Sequence, residues 1–180
     1  IMSLGVHRMW KDRFINWMNP QPNTKLIDVA SGTGDIAKLF LEKLNQTSQV
    51  TCIDQNEKML EQGKIKLKNL RSITWVKAPA EKIPEKDNTF DYYSISYGIR
   101  NVTNINAALK EAFRVLKPGG RFMCLEFSKI ENETLEYVYR KYSKAIPYIG
   151  KLIVGTEKPY KYLVESLSLI HISEPTRLLA

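Results

Sequence analysis

At 180 residues, with 43% hydrophobic and 26% charged side chains, the chain has the length and composition of one globular domain with a substantial core, which excludes a disordered or fibrous protein. No apolar run approaches the roughly 18 to 20 residues that span a bilayer, and no secretory signal precedes the folded pattern, so a cytoplasmic chain is expected. The formal charge of +8 is spread over several predicted helices rather than packed in one block, which reads as a solvated basic face, gives thin support for nucleic acid, and leaves contact with an anionic membrane surface open.

Residues 6–18 place Val6, Met9, Trp10, Arg13, Phe14 and Trp17 at three- and four-residue spacings, the pattern of an amphipathic helix that ends before Pro20. The chain opens on Ile1 and Met2, as though inside a longer protein. From Lys25 short apolar runs alternate with helical periods: strand 25–30, helix 35–44, strand 49–53, helix 57–70, strand 73–77, strand 89–95, helix 104–117 and strand 121–127. Such alternation predicts an α/β domain, a doubly wound and mostly parallel sheet with helices on both faces, binding its ligand at the carboxyl ends of the strands. Cys52 and Cys124 fall inside strand-like runs and read as buried core thiols, with neither a disulfide framework nor a metal set. Residues 131–167 are helical in pattern and rich in Tyr and Lys. Pro147, Gly150, Gly155 and Pro159 break them into pieces, as in a lid or substrate-side insertion.

The segment Leu26-Ile27-Asp28-Val29-Ala30-Ser31-Gly32-Thr33-Gly34-Asp35 runs from a strand through a turn into a helix. Gly32 and Gly34 allow a tight turn and a close approach to a ligand, and the helix behind them presents unpaired N–H groups. Asp54, ending the next strand, is placed to accept both hydroxyls of an adenosine ribose. Gly32, Gly34 and Ala37 also satisfy the dinucleotide pattern, so a nicotinamide or flavin enzyme stays open. Asp28 and Asp35 favour an aminoacyl ammonium, since both carboxylates would repel a pyrophosphate. Asp28 also admits a plain reading as a cap or loop hydrogen bonder. Ala78-Pro79-Ala80-Glu81-Lys82-Ile83-Pro84, followed by Asn88-Thr89-Phe90-Asp91, forms a loop whose backbone suits an adenine. Val115-Leu116-Lys117-Pro118-Gly119-Gly120 announces the last strand.

Together these motifs resemble class I methyltransferases. Three further segments, Met2-Ser3-Leu4-Gly5-Val6-His7-Arg8-Met9-Trp10-Lys11, Ser94-Ile95-Ser96-Tyr97-Gly98-Ile99-Arg100-Asn101-Val102-Thr103 and Leu125-Glu126-Phe127-Ser128-Lys129, resemble the ubiquinone/menaquinone biosynthesis C-methyltransferase family. The resemblance covers residues 1–167. It implies a Rossmann-like fold, S-adenosyl-L-methionine as cofactor and C-methylation of a polyprenylated quinol ring. By the same resemblance Thr33, Asp54, Ala80 and Ser96 contact the cofactor, beside Asp28, Gly32 and Gly34. Pro79 replaces the Asn or Asp usual in the family, which puts a side-chain bond to adenine in doubt. Relative to the family the chain lacks roughly forty residues before Ile1 and the last sheet strands. The final strand is then expected as an exposed edge, and residues 168–180 match nothing in the family and read as an artefactual tail.

Methylation of a ring carbon needs an activated neighbouring hydroxyl. Arg100 is the candidate for stabilising the developing phenolate, Asn101 for binding the same oxygen or holding Arg100, and Tyr97 for lining the ring. As a guanidinium, Arg100 is unsuited to act as a base; a surface residue or a structural ion pair is its plain alternative. His7 on the first helix could face the pocket, but a lone His there reads first as structural. Tyr137, Tyr139, Tyr142, Tyr148, Tyr160 and Tyr162 suit either a polyprenyl tail or ordinary helix packing. The expected partners are the quinol substrate, a peripheral membrane contact on the inner face, and a homodimer or quinone-biosynthesis complex, without nucleic acid or metal. A small-phenol O-methyltransferase and a non-catalytic S-adenosylmethionine-binding fragment remain the rivals.

Overall fold

The computed structural model describes residues 6–126. In chain order they form α1 (Val6–Met18), β1 (Lys25–Val29), α2 (Asp35–Lys43), β2 (Gln49–Asp54), α3 (Glu57–Lys66), β3 (Ile73–Lys77), β4 (Phe90–Ser96), a 3-10 turn (Ile99–Asn101), α4 (Ile105–Val115) and β5 (Leu116–Leu125). The five strands make one parallel sheet in the order β3-β2-β1-β4-β5. The expected α/β architecture is therefore present.

Strand periodicity divides the core between the two faces. Along β1, Leu26 joins Phe14, Ile15 and Met18 of α1 and Phe40 and Leu41 of α2, while Ile27 and Val29 face the other way, with Ala108, Ala112 and Val115 of α4. Asp28 continues the Leu26 face and so points to the α1 and α2 side, paired in register with Cys52 and Ser94. Asn56 and Asn104 start α3 and α4 by accepting the N–H groups of Met59 and Ala107.

Three expectations shift. Helix α3 ends at Lys66 instead of 70, because Leu67 turns out of the helix and the Leu70 N–H donates back to the Leu67 carbonyl, returning the chain to β3. β5 starts at Leu116, ahead of the Pro-Gly-Gly turn rather than after it. That turn is a bulge in the strand, where register slips between Phe90 and Tyr92 and Gly119 takes φ 80°. Cys124 is exposed, contrary to its reading as a core thiol. Phe122, on the same face of β5, is 39% exposed and stacks on Tyr93 with ring centroids 5.2 Å apart.

Candidate functional site

Strand order reverses between β1 and β4, because the chain leaves β1 toward β2 and β3 and later returns to β4 and β5. Loops leaving the carboxyl ends of two such strands form the ligand crevice of an open α/β sheet. Here those loops are Ala30–Gly34 and Tyr97–Asn101. Each begins on a non-glycine residue in the left-handed region, Ala30 at φ 53° and Tyr97 at φ 55°. Such backbone costs about 1 kcal/mol or more per residue and gathers at functional sites. Gly98 sits against Ala30 so closely that any side chain there would collide with it.

The first loop is held by its own backbone and by Asp54. The Ser31 N–H donates to Ile53 O at 3.0 Å, the Gly34 N–H to Ser31 O at 2.9 Å, and the Gly32 N–H to Asp54 Oδ2 at 2.8 Å. Asp54 Oδ1 accepts the Asn56 N–H at 2.8 Å. Both oxygens of the proposed ribose acceptor thus brace the loop, each with a further lone pair available. Gly32 and Gly34 adopt φ 55° and 77°. The reason for Gly34 differs from the expectation: a Cβ there would lie 2.8 Å from the Trp75 ring and 2.9 Å from Leu67, so close packing demands it rather than a ligand. Thr33 Oγ1 accepts from Lys66 Nζ at 3.2 Å.

Beneath this loop Asp28 is 1% exposed. Its Oδ1 accepts from Ser94 Oγ at 2.7 Å, whereas its Oδ2 has no partner. Burial pushes its carboxyl up to about 7, against the Ser94 hydrogen bond and the charge of Lys11. A buried carboxylate oxygen without a donor is costly to keep, and a cation brought into the crevice would satisfy it. Asp35, at the start of α2, is bound by Lys11 Nζ at 2.7 Å and by Lys66. Burial raises its carboxyl, but the two lysines outweigh that and hold it near about 2. Its charge is therefore offset on the spot, which weakens the repulsion of a pyrophosphate expected of Asp35.

The loop between β3 and β4 brings Pro79 to the surface and buries Ala80. Its shape is set from α4: Arg114 donates to the carbonyls of Ile83 (2.9 Å) and Glu85 (2.7 Å), and Glu111 accepts the Ile83 N–H at 2.7 Å. Glu81 ties the same loop to the start of α4 by accepting the N–H groups of Thr103 (2.8 Å) and Asn104 (3.1 Å). Ser96, ending β4, keeps a buried Oγ without a hydrogen-bond partner.

Arg100 lies in the 3-10 turn after β4 and forms an ion pair with Glu126, just past β5, their side chains 11% and 14% exposed. Tyr97 stands beside this pair. Burial pushes its phenol up to about 12, with Glu126 adding to the shift and Arg100 opposing it. The Asn101 side chain is exposed and its N–H donates to Gly98 O at 3.0 Å. Glu126 was assigned no role from sequence, although it stands inside the Leu125–Lys129 motif. No spacing rule links it to a residue 26 positions earlier. The structure thus gathers Asp28, Gly32, Thr33, Gly34, Asp54, Ser96, Tyr97 and Arg100 at the carboxyl ends of β1, β2 and β4. Pro79 and Ala80 follow β3, the next strand of the sheet.

The side chain of His7, the tyrosines of residues 131–167 and the tail 168–180 lie outside the described residues. Among the described residues no group of three His, Cys, Asp or Glu could hold a metal ion, and no helix is long and apolar enough to cross a membrane.

Residues 1–172 match the model of the ubiE/COQ5 methyltransferase family, a span that runs past residue 167. The mitochondrial 2-methoxy-6-polyprenyl-1,4-benzoquinol methylase of Dictyostelium discoideum is 44% identical over 199 residues; the match takes in 93% of this chain and 63% of that protein. The ubiquinone/menaquinone biosynthesis C-methyltransferase UbiE of Rickettsia bellii (strain OSU 85-389) is 47% identical over 186 residues, with 99% of this chain and 75% of that protein covered. A SAM-dependent methyltransferase of Aquifex aeolicus shares the fold at TM-score 0.63 and 22% identity, over 68% of this chain and 66% of that one.

Proposed function

The chain belongs to the ubiE/COQ5 methyltransferase family, and we propose that it transfers a methyl group from S-adenosyl-L-methionine to a ring carbon of a polyprenylated quinol in ubiquinone or menaquinone biosynthesis. One observation carries the reading: the glycine loop and the Arg100 loop are packed together at Ala30 and Gly98. A donor bound over the first and an acceptor held at the second therefore meet.

The residues present fit the donor. The unpartnered Asp28 Oδ2 suits an ammonium, Asp54 at the end of β2 suits two ribose hydroxyls, and the unpartnered Ser96 Oγ offers a further hydrogen bond. The 79–80 backbone suits an adenine edge. When bound, the sulfonium supplies an electrophilic methyl carbon. The chain's own task is then to hold the nucleophilic ring carbon in line at about 3 to 3.5 Å and to exclude water. Arg100 stabilises the oxyanion that forms beside that carbon, and Asn101 shares the oxygen. Glu126 fixes the guanidinium. Tyr97, its phenol kept protonated, lines the ring. A polyprenyl tail partitions into a bilayer, so the proposal includes peripheral contact of an otherwise cytoplasmic enzyme with the inner face of a membrane, as a homodimer or within a quinone-biosynthesis complex.

Product analysis with a methyl-labelled donor tests the reading against demethylmenaquinol and 2-polyprenyl-6-methoxy-1,4-benzoquinol. The expected product is methylated on carbon. Label on oxygen would overturn C-methylation in favour of a phenol O-methyltransferase. Calorimetric binding of S-adenosylhomocysteine without turnover of either quinol would leave only a cofactor-binding chain.

A further inference from the structure

Lys11 and Lys66 share one carboxylate, Asp35, while Asp28 nearby keeps an oxygen with none. Lys11 lies one turn before Phe14 and Ile15 on the buried face of α1, and its side chain is only 17% exposed. Lysine is rarely buried so far without need, and a structural ion pair of this kind roughly breaks even against its desolvation. Asp35 does not need it, because Lys66 remains on the other carboxylate oxygen. The surplus is a desolvated ammonium at the mouth of the glycine loop, within electrostatic reach of Asp28.

We propose that Lys11 reads the α-carboxylate of the cofactor: its ammonium, resting on Asp35, is taken over by the carboxylate of a zwitterionic ligand whose α-ammonium satisfies Asp28 Oδ2. With Asp28 ionised, the charges around the ligand's amino-acid end are paired before and after the exchange. Before binding, Lys11 and Lys66 stand against Asp35 and Asp28; afterwards Lys66 keeps Asp35, Lys11 holds the ligand's carboxylate, and Asp28 holds its ammonium. The exchange also carries α1 into the cofactor site, since Lys11 is anchored by Phe14, Ile15 and Met18, packed against α2. A neutral or purely anionic nucleoside would not engage both halves.

This inference rests on the cofactor reading above, and a pair of ligands separates the two. Calorimetry on the 180-residue chain compares S-adenosylmethionine with decarboxylated S-adenosylmethionine, which keeps the adenosine, sulfonium and amine. The parent chain is expected to prefer the carboxylate-bearing ligand by about ten- to a hundredfold, the range of a charge-assisted hydrogen bond. Lys11→Met and Lys11→Gln should weaken that ligand by the same factor and leave the decarboxylated one unchanged, erasing the preference. Equal affinity of the parent for both ligands overturns the role of Lys11, as does an equal loss for both in the variants. A parent chain that binds neither ligand overturns the cofactor reading, and this inference with it.

Discussion

A Cβ added to Gly98 would stand 2.4 Å from the Cβ of Ala30. The two loops proposed to hold donor and acceptor thus touch where one extra carbon cannot fit. Gly98 has φ −122°, open to any residue, so the constraint is contact rather than backbone strain. Gly98→Ala is expected to lower stability by roughly 1–3 kcal/mol through overpacking and to depress kcat by parting the loops. Urea unfolding and turnover check this; a variant matching the parent in both would refute the packing argument.

Asp28 predicts an unusual pH dependence. Its folded carboxyl is raised to about 7, from an unfolded value near 3.8. Between those values the folded chain holds a proton that the unfolded chain has released. This contribution to stability is therefore fully present below about pH 4 and is lost as pH rises through 7. Asp28→Asn removes the titration, so the variant should match the parent near pH 4.5 and exceed it by a few kcal/mol, on the order of 3–4, at pH 8. It should also bind S-adenosylhomocysteine more weakly at pH 8. Thermal melts with the same pH slope in both chains would count against the orphaned carboxyl.

Arg100→Ala is expected to reduce kcat by about a hundredfold or more, with S-adenosylhomocysteine affinity within about twofold of the parent. Glu126→Gln should show a milder loss of the same kind, since it removes the paired negative charge and leaves the guanidinium in place. Single-turnover rates and calorimetry separate the two quantities. Equal losses in rate and in cofactor affinity would place Arg100 in the structural role weighed from sequence.

The 79–88 loop depends on α4 for its shape. Arg114→Ala deletes hydrogen bonds to Ile83 O, Glu85 O and Asp87 and leaves Glu111 without its guanidinium. A loss of roughly 2–4 kcal/mol in stability is expected, along with weaker cofactor binding but an unchanged ratio of C- to O-methyl product. Unaltered cofactor affinity would show that the loop takes its shape without this brace.

The doubly wound architecture and the glycine loop were legible from sequence because each follows from local periodicity or from a motif with a fixed strand-turn-helix context, whereas the order of the strands in the sheet came from the structure. Asp54 was legible for the same reason. Lys11–Asp35, Arg100–Glu126 and Arg114 with the 83–87 loop were not, because each joins residues 24 to 31 positions apart through tertiary register. Gly34 was found for an incomplete reason: its turn was visible, but the Trp75 ring that fills its missing side chain comes from β3, two strands away. The end of α3 and the start of β5 slipped because a turn at Leu67 and a bulge at Gly119 answer to neighbouring strands rather than to local pattern.

A Cβ on Gly63 would come within 2.5 Å of the Trp75 ring, and one on Gly34 within 2.8 Å. The indole is thus wedged between α3 and the start of α2, directly behind the loop that would carry the donor. Trp17 is 74% exposed and already emits from water. A fluorophore set against the glycine loop would act as an optical gauge: a movement of that loop should change the quenching around Trp75, so a change in indole emission is the expected label-free readout of ligand binding.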